Sequence, residues 1–563
     1  MLHGFNRKKT PRKRRPPLLT ALLITLVFAV IYFYVVLPAI NLQNTEFYLF
    51  LCLCLALFCF VTLITRGMAN ELTDIKSILR VIKKYCAIPG LICIGLALVV
   101  LLGSIYSSVI LHARSYSEIL PVTPGDFAAE VEQISYDQIP MLDKTSAQRL
   151  GDRKLGELSD MVSQFEVVND YTQINYKDRP VRIATLAYGD IFKWLGNRAE
   201  GIPAYIIIDM VTQNVNVVRL QEGIKYTNAE HFSRYLYRHL RFNFPTYMFD
   251  TPHFEIDDNG HPYWICPRMV KTIGLFGGTD IKGAVMVDAV TGESTYYENV
   301  PSWVDQVYSA ELIIQQYDYH GRYASGLINS IFGQKGVTVT TDGYNYIAQN
   351  DDVYVYTGIT SVTGDQSNIG FILCNQRTKE ARYYSCAGAE EFSAMNSAQG
   401  VVQHLGYVAT FPLLLNISDQ PTYFVALKDN AALVKMYAMV NVQKYNIVAT
   451  GTTVAECEMA YIRLLKQNGL IDEVPAVTSD IEGVVKDIRV AVVNGTSVYY
   501  LLLDSDNSYF AISAAESRNI VLVNVGDRVG IRLVDTSTDA AIVEGTGLEL
   551  KSDQPKVTPK DET

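Results

Sequence analysis

None of the compact signatures of catalysis is present in this sequence. It has no HExxH metal pair, no CxxC, no GxSxG nucleophile elbow and no glycine-rich phosphate loop closed by Lys-Ser/Thr. Their absence leaves metalloprotease, thiol oxidoreductase, α/β-hydrolase and P-loop readings without support. Charge is also missing, but only locally. No Asp, Glu, Lys or Arg occurs from Pro16 to Thr45, from Phe47 to Thr65 or from Tyr85 to Leu111. Each run reaches the roughly 20 residues that a helix needs to cross a bilayer core of about 30 Å. Three transmembrane helices are predicted, in a chain of 563 residues that is long enough for several domains.

A cleavable signal peptide is the competing reading of the first run. That run is too long, lacks a small-x-small cleavage site and is followed by two further spans. Arg14-Arg15 sits in a generally basic stretch and reads as topogenic charge. Arg7, Lys8, Lys9, Arg12, Lys13, Arg14 and Arg15 precede the first span, and Lys76, Arg80, Lys83 and Lys84 lie between the second and third. The connection between the first two carries Glu46 and no Lys or Arg. Positive charge stays inside, so a cytoplasmic N-terminus and an external remainder are expected, across a cell membrane.

Residues 1–114 hold 13 of the 48 Lys/Arg and 3 of the 58 Asp/Glu, which leaves 35 against 55 for the remainder. An acidic external part argues against nucleic acid, which draws most affinity from phosphate neutralisation. Cations or basic partners fit better, although such acidity also keeps domains soluble. Five of nine cysteines, Cys52, Cys54, Cys59, Cys86 and Cys93, lie in or beside the spans. Cys266, Cys374, Cys386 and Cys457 are widely separated and read as buried free thiols, with a Cys374–Cys386 disulfide as the alternative.

The external part contains a recurring frame. "VMVDAVTGESTYY" has Asp288, then Thr291 three positions on, then Tyr296 and Tyr297. The same spacing returns at Asn375, Thr378, Tyr383 and Tyr384, and at Asp209, Thr212, Val217 and Val218. Each copy follows an apolar run, so each reads as strand, Asx/Thr turn, strand. Each is preceded by a hairpin, turning near Asp258-Asn259-Gly260, Asn350-Asp351 and Asp178-Arg179-Pro180; a fourth, degenerate hairpin turns near Asp429-Asn430. Segments of helical period precede the hairpins at about 145–166, 226–242, 302–317 and 388–405. A further helix at 453–468 opens with Thr453-x-x-Glu456, which fits a capping box.

The order helix, hairpin, Val287-Asp288-Ala289-x-Thr291-Gly292 and returning strand resembles the PepSY domain, most closely over residues 226–297. The resemblance implies an envelope module of regulatory or inhibitory type that supplies no catalytic residues. The expected fold class is α+β: a basic N-terminus (1–16), three membrane helices (17–114), tandem PepSY-like helix-plus-hairpin units (115–469), a linker (470–479), a small all-β OB-like barrel (480–550) and a disordered tail (551–563).

Candidate chemistry is sparse. His231, His239, His253 and His261 fall within 31 residues and could converge with Asp257 and Asp258 on a metal, although His231 and His239 are eight apart and no tight ligand pair is present. Asp257-Asp258-Asn259 and Asn350-Asp351-Asp352 offer hard oxygens but lack EF-hand spacing. The glycine-rich "GLFGGTDIKG" reads as a connection. The tyrosines, 36 in all, are read as strand residues before any sugar- or peptide-binding role. No catalytic, cofactor-binding or metal residue is nominated and no cofactor is expected. The expected function is a non-catalytic envelope scaffold or regulator with the bilayer and a membrane or envelope protein as partners, ahead of a ligand sensor or transport accessory and then a hydrolase.

Overall fold

The computed structural model describes residues 17–67, 74–131, 133, 139–349, 351–362, 367–471, 478–493, 496–505, 508–514, 517–534 and 542–550. The basic N-terminus, Asn350, most of the linker and the C-terminal tail lie outside the described residues. The chain divides into two compact units, Met1–Leu465 and Lys466–Thr563.

Three helices are long and apolar enough to cross a membrane: Leu18–Val36, Thr45–Arg66 and Ile75–Tyr106. The third begins ten residues before its uncharged run, because Lys76, Arg80, Lys83 and Lys84 ride on a helical entry that widens into a π turn at Ile82–Cys86. It stops at Tyr106, where Ser107 takes up contacts with the folded body.

Beyond the helices the chain builds four successive sheets that share one strand order. In the first, Val215–Ile224 lies beside Ile202–Asp209, then Pro180–Tyr188, which pairs with both Phe165–Val167 and Thr172–Asn175. The second repeats this as Ser294–Tyr297, Gly277–Asp288 and Pro262–Ile273, with Met248–Phe249 and His253–Ile256 on the last. The third uses Ala381–Ala389, Ser367–Asn375 and Asp352–Ser361, with Thr338–Thr340 and Asn345–Gln349. The fourth uses Val448–Gly451, Val434–Asn441 and Gln420–Lys428, with Val408–Ala409 and Leu413–Ile417. The third sheet has one extra member: Val122–Gly125, just after the membrane helices, runs parallel to Ala381–Ala389.

The Asx turn explains why the frame recurs. Asp288 Oδ1 accepts from the N–H groups of Val290 (2.8 Å) and Thr291 (2.9 Å). Asp209 does so for Val211 and Thr212, and Asn375 for Arg377 and Thr378. Each turn then passes through positive φ, at Gly292, Gln213 and Lys379. The fourth sheet has Asn441 in the same place, accepting from Lys444 N, but with a longer turn that returns at Ile447. Its first hairpin turns at Ser418-Asp419, both at positive φ, ahead of the expected Asp429-Asn430, which is the following connection.

Helix positions differ from the periodicity. The helices observed at those five segments are Lys144–Gly156, Leu236–Asn243, Ala310–Tyr323, Glu391–Val401 and Val454–Gln467. Residues 226–231 are not helical, and Phe232 at φ 52° and Tyr235 in extended geometry delay the second helix. Val304 and Val307, inside the segment 302–317 read as helical, are buried in the connection that precedes the third helix. In the last helix Thr453 Oγ1 accepts from Glu456 N, but the Glu456 carboxylate turns back to Thr452 N and Oγ1.

The sheets share faces. Along Gly277–Asp288, Val285 and Val287 enter a core with the first sheet's Ile183 and Ile206, while Ala284 and Met286 pack with Val304 and Leu312. The helix Ala310–Tyr323 gives Leu312 to the second sheet and Ala310, Ile313 and Tyr317 to the third. Third and fourth sheets meet through a buried polar chain: Tyr356 OH donates to Glu391, and Asn368 Nδ2 donates to Tyr423 OH at 3.0 Å.

The glycine-rich turn Gly274–Phe276 receives the end of the third membrane helix. Ser107 Oγ accepts from Leu275 N (2.8 Å) and Phe276 N (3.0 Å), and Tyr116 OH donates to Ser107 O at 2.6 Å. A Cβ on Gly274 would sit 2.4 Å from Ser107 Oγ, and one on Gly103 would sit 2.7 Å from the Phe276 ring. The connection between the first two membrane helices docks on the same sheet. Arg241 Nε donates to Leu37 O, Ile40 N to Pro245 O and Gln43 Nε2 to Lys271 O. Both membrane-helix ends therefore lie on the side of the body.

In the second unit, Thr478–Val493, Thr496–Leu503, Tyr509–Ser513, Ile542–Leu550 and Arg528–Val534 close into a five-stranded barrel around Leu501, Phe510, Ile512, Val529 and Ile531. Its third and last strands run parallel.

Removing the Ser107 hydroxyl leaves two half-buried N–H groups without their acceptor; a fully buried group so stranded costs about 1–3 kcal/mol, which bounds each loss from above. Ser107→Ala is expected to lower the thermal midpoint of the detergent-purified chain clearly, and Ser108→Ala to leave it nearly unchanged. Equal midpoints for the two would show that the contact contributes little.

Candidate functional site

A cavity of about 640 Å³ opens where the four sheets meet. The first sheet contributes Gln173 and Arg182; the second strand system contributes Asp250 and His253. The third contributes Tyr344, Tyr346 and Gln376, with Ser309 and Glu311 at the start of its helix, and the fourth contributes Phe411 and Phe424.

Arg182 stands in the otherwise apolar strand "PVRIATLAY" and is only 6% exposed. Its guanidinium reaches Gln173 Oε1 at 3.3 Å and Leu142 O at 3.4 Å, both long contacts. Among the described residues no carboxylate lies within ion-pair distance of it. Burial pulls its pKa below the usual range, against the opposing influence of Tyr346 and Asp143. Asp143 is itself paired with Lys428; burial works to raise its carboxyl, but Lys428 and Ser146 hold it below the ordinary value.

The remaining polar groups largely answer one another. Tyr344 OH donates to Glu311 at 2.6 Å, and burial raises the phenols of both Tyr344 and Tyr346, the latter to about 12. Ser309 Oγ donates to Asp250 at 2.9 Å, and His253 Nε2 bonds Gln306 O. A nucleophile needs a base within hydrogen-bond reach, and among the described residues Ser309 and His253 make no such pair. Gln173 Nε2 and Gln376 Oε1 are buried without partners among the described residues.

Behind the wall lies an acid pair. Glu255 accepts from the backbone N–H groups of Asp305 and Gln306, both at 3.0 Å, and Asp305 accepts from Asn175 N at 2.6 Å. Burial, and then the neighbouring Glu255, hold the Asp305 carboxyl well above the usual range.

The histidines grouped by sequence do not converge. His231 packs its ring on Trp194, His239 bonds Gly292 O and Ser294 Oγ, and His261 bonds Asp288 at 3.0 Å; only His253 reaches the cavity. Asp257 closes its own turn by accepting from Asn259 and His261 N–H groups, and Asp258 is exposed. Asp351 occupies a turn at φ 61°, while Asp352 is held by Arg377 and Asn375. Among the described residues no three His, Cys, Asp or Glu side chains form a metal-binding group. Cys266, Cys374, Cys386 and Cys457 are buried and free. Arg182 and Gln173 were not singled out by sequence, although a lone Arg inside a β-branched run is the signal that marks them.

No family model matches the chain, and no curated protein matches it. Among solved structures, a B. megaterium levansucrase variant aligns over 79% of this chain and 94% of its own at 8% identity, with a TM-score of 0.18, a likeness too slight to bear on fold or activity.

Because folded Asp305 holds its proton to higher pH than the unfolded chain does, the folded state binds more protons above the ordinary carboxyl range. Stability is therefore expected to fall as pH rises from about 4. Asp305→Asn should raise the thermal midpoint at pH 7, leave it nearly unchanged near pH 4 and flatten the slope between; a parallel profile in the variant would remove Asp305 as the cause.

Proposed function

We propose that this chain is a membrane-anchored, non-catalytic scaffold or regulatory protein of a bacterial cell envelope. Its N-terminus lies in the cytoplasm and its sheet body and barrel lie outside. The observation that carries the reading is the anchor contact: Ser107 and the 37–43 connection are hydrogen-bonded to the second sheet. A body joined in this way presents one fixed face above the membrane, as a docking platform requires. The common strand order and the Asx turns at Asp209, Asp288 and Asn375 support PepSY-like tandem units. A five-stranded closed barrel with parallel third and last strands supports the OB-like reading of the C-terminal unit. The basic flanks support the orientation.

Val492 is exposed, and the native cysteines outside the membrane helices are buried. Val492→Cys is thus expected to react with an impermeant maleimide in intact cells. Labelling only after lysis would reverse the orientation. Crosslinking in native membranes is expected to capture a stable protein partner, and the scaffold reading fails without one.

A second reading, a ligand sensor or transport accessory, is favoured by the cavity around Arg182. Native mass spectrometry of the purified full chain should then show a bound small molecule that is lost in Arg182→Leu. If no extra mass is found and Arg182→Leu is simply more stable, the buried guanidinium is structural and this reading falls.

A further inference from the structure

We infer that the first and second sheets carry a phospholipid-binding face that lies in the headgroup layer beside the first membrane helix. The inference rests on the three helices being embedded in a bilayer. Phe192 is 78% exposed, Phe232 62% and Phe242 55%, and Ile191 and Leu195 share the exposed side of the short helix Ile191–Asn197 with Phe192. Scattered exposed apolar residues are ordinary, but these are joined into one surface.

Ring and guanidinium contacts run from the first membrane helix to Phe232, and buried Trp194 joins Phe232 to the short helix that carries Phe192. The Phe242 ring lies 5.6 Å from Phe33 and 6.3 Å from Tyr34, at the body-side end of the first membrane helix. The Arg238 guanidinium covers the Tyr34 ring at 4.1 Å, donates to Tyr34 O and also donates to Phe232 O at 2.6 Å. Phe232 in turn lies 5.9 Å from Trp194, two residues beyond Phe192. The exposed Phe242 ring thus adjoins the end of the first membrane helix, with Phe232 and the short helix Ile191–Asn197 placed beside it.

Its chemistry matches a headgroup layer. Arg198 lies over Trp194, and Arg234 donates to Arg198 O, so guanidinium groups alternate with aromatic rings. Aromatic side chains favour the depth where an apolar body meets water, and Arg snorkels toward lipid phosphate. Arg198, Arg234 and Arg238 supply the positive groups of this strip, within an external part that carries 35 Lys/Arg against 55 Asp/Glu, while Asp190 at the cap of the short helix is paired with Lys193. Trp194 Nε1 and Tyr188 OH both donate to buried Glu230 at 2.7 Å, which fixes the base of the strip and leaves the Phe192 and Phe232 rings outward.

The test places benzoylphenylalanine in the full-length chain, reconstituted in phosphatidylethanolamine–phosphatidylglycerol vesicles, as Phe192→benzoylphenylalanine, Phe232→benzoylphenylalanine or, within the third membrane helix, Leu102→benzoylphenylalanine. Irradiation is expected to give phospholipid adducts at all three positions, resolved by mass spectrometry. Arg198→Glu combined with the Phe192 probe should lose most of that adduct while Leu102 labelling in the same background is unchanged. Lipid adducts at Leu102 but not at Phe192 or Phe232 overturn the inference and leave the anchor intact. Crosslinks from Phe192 to a second copy of the chain overturn it in favour of self-association. Failure at Leu102 as well removes the bilayer reading on which the inference stands.

Discussion

The Ser107 contact constrains the molecule more than any other. Two backbone N–H groups of a tight turn converge on one hydroxyl, and glycines on both sides allow the main chains to approach. A side chain at Gly274 or Gly103 would separate helix from sheet. Because the next helix, Val109–Ser117, then packs Tyr116 on Tyr319 and offers Ser117 O to His320, the contact also sets where the third sheet begins. The end of the third apolar helix is thereby part of the tertiary structure of the body.

Sharing of faces solves a size problem. A sheet of five short strands with one helix buries too little apolar surface to stand alone. Here Gly277–Asp288 feeds two cores on alternate residues, and Ala310–Tyr323 does the same from a helix. The four sheets are consequently interdependent, and the space at their junction is lined by residues from all of them. Polar groups there find partners in neighbouring sheets: Gln306 Nε2 donates to Gln173 O, and Lys428 pairs with Asp143.

What was legible in the sequence was what local chemistry determines. Uncharged runs marked the three membrane helices, and the Asp288, Asp209 and Asn375 turns were readable because one side-chain oxygen satisfies two nearby N–H groups. Asn441 escaped because its turn is longer and the spacing to the return strand changes. Helix boundaries misled where apolar residues were buried from irregular chain, as at Val304 and Val307. The cavity was illegible for a different reason: Arg182, His253, Tyr346 and Phe411 belong to four sheets, and nothing local ties them. The histidine grouping failed in the converse way, being close in sequence and apart in space.

The strand Val122–Gly125 has a consequence in time. Thr123 bonds Ala381 O across 258 residues of sequence, yet this strand leaves the ribosome almost as soon as the membrane helices are complete. At a synthesis rate of about 5–20 residues per second, its partner follows only after roughly 13–50 s. Until then the strand has no ladder to join, so this edge of the third sheet can close only once Ala381–Ala389 has been made. Nascent chains are thus exposed to edge-to-edge association until synthesis has passed Ala389, and the parallel strand ends that period when it closes.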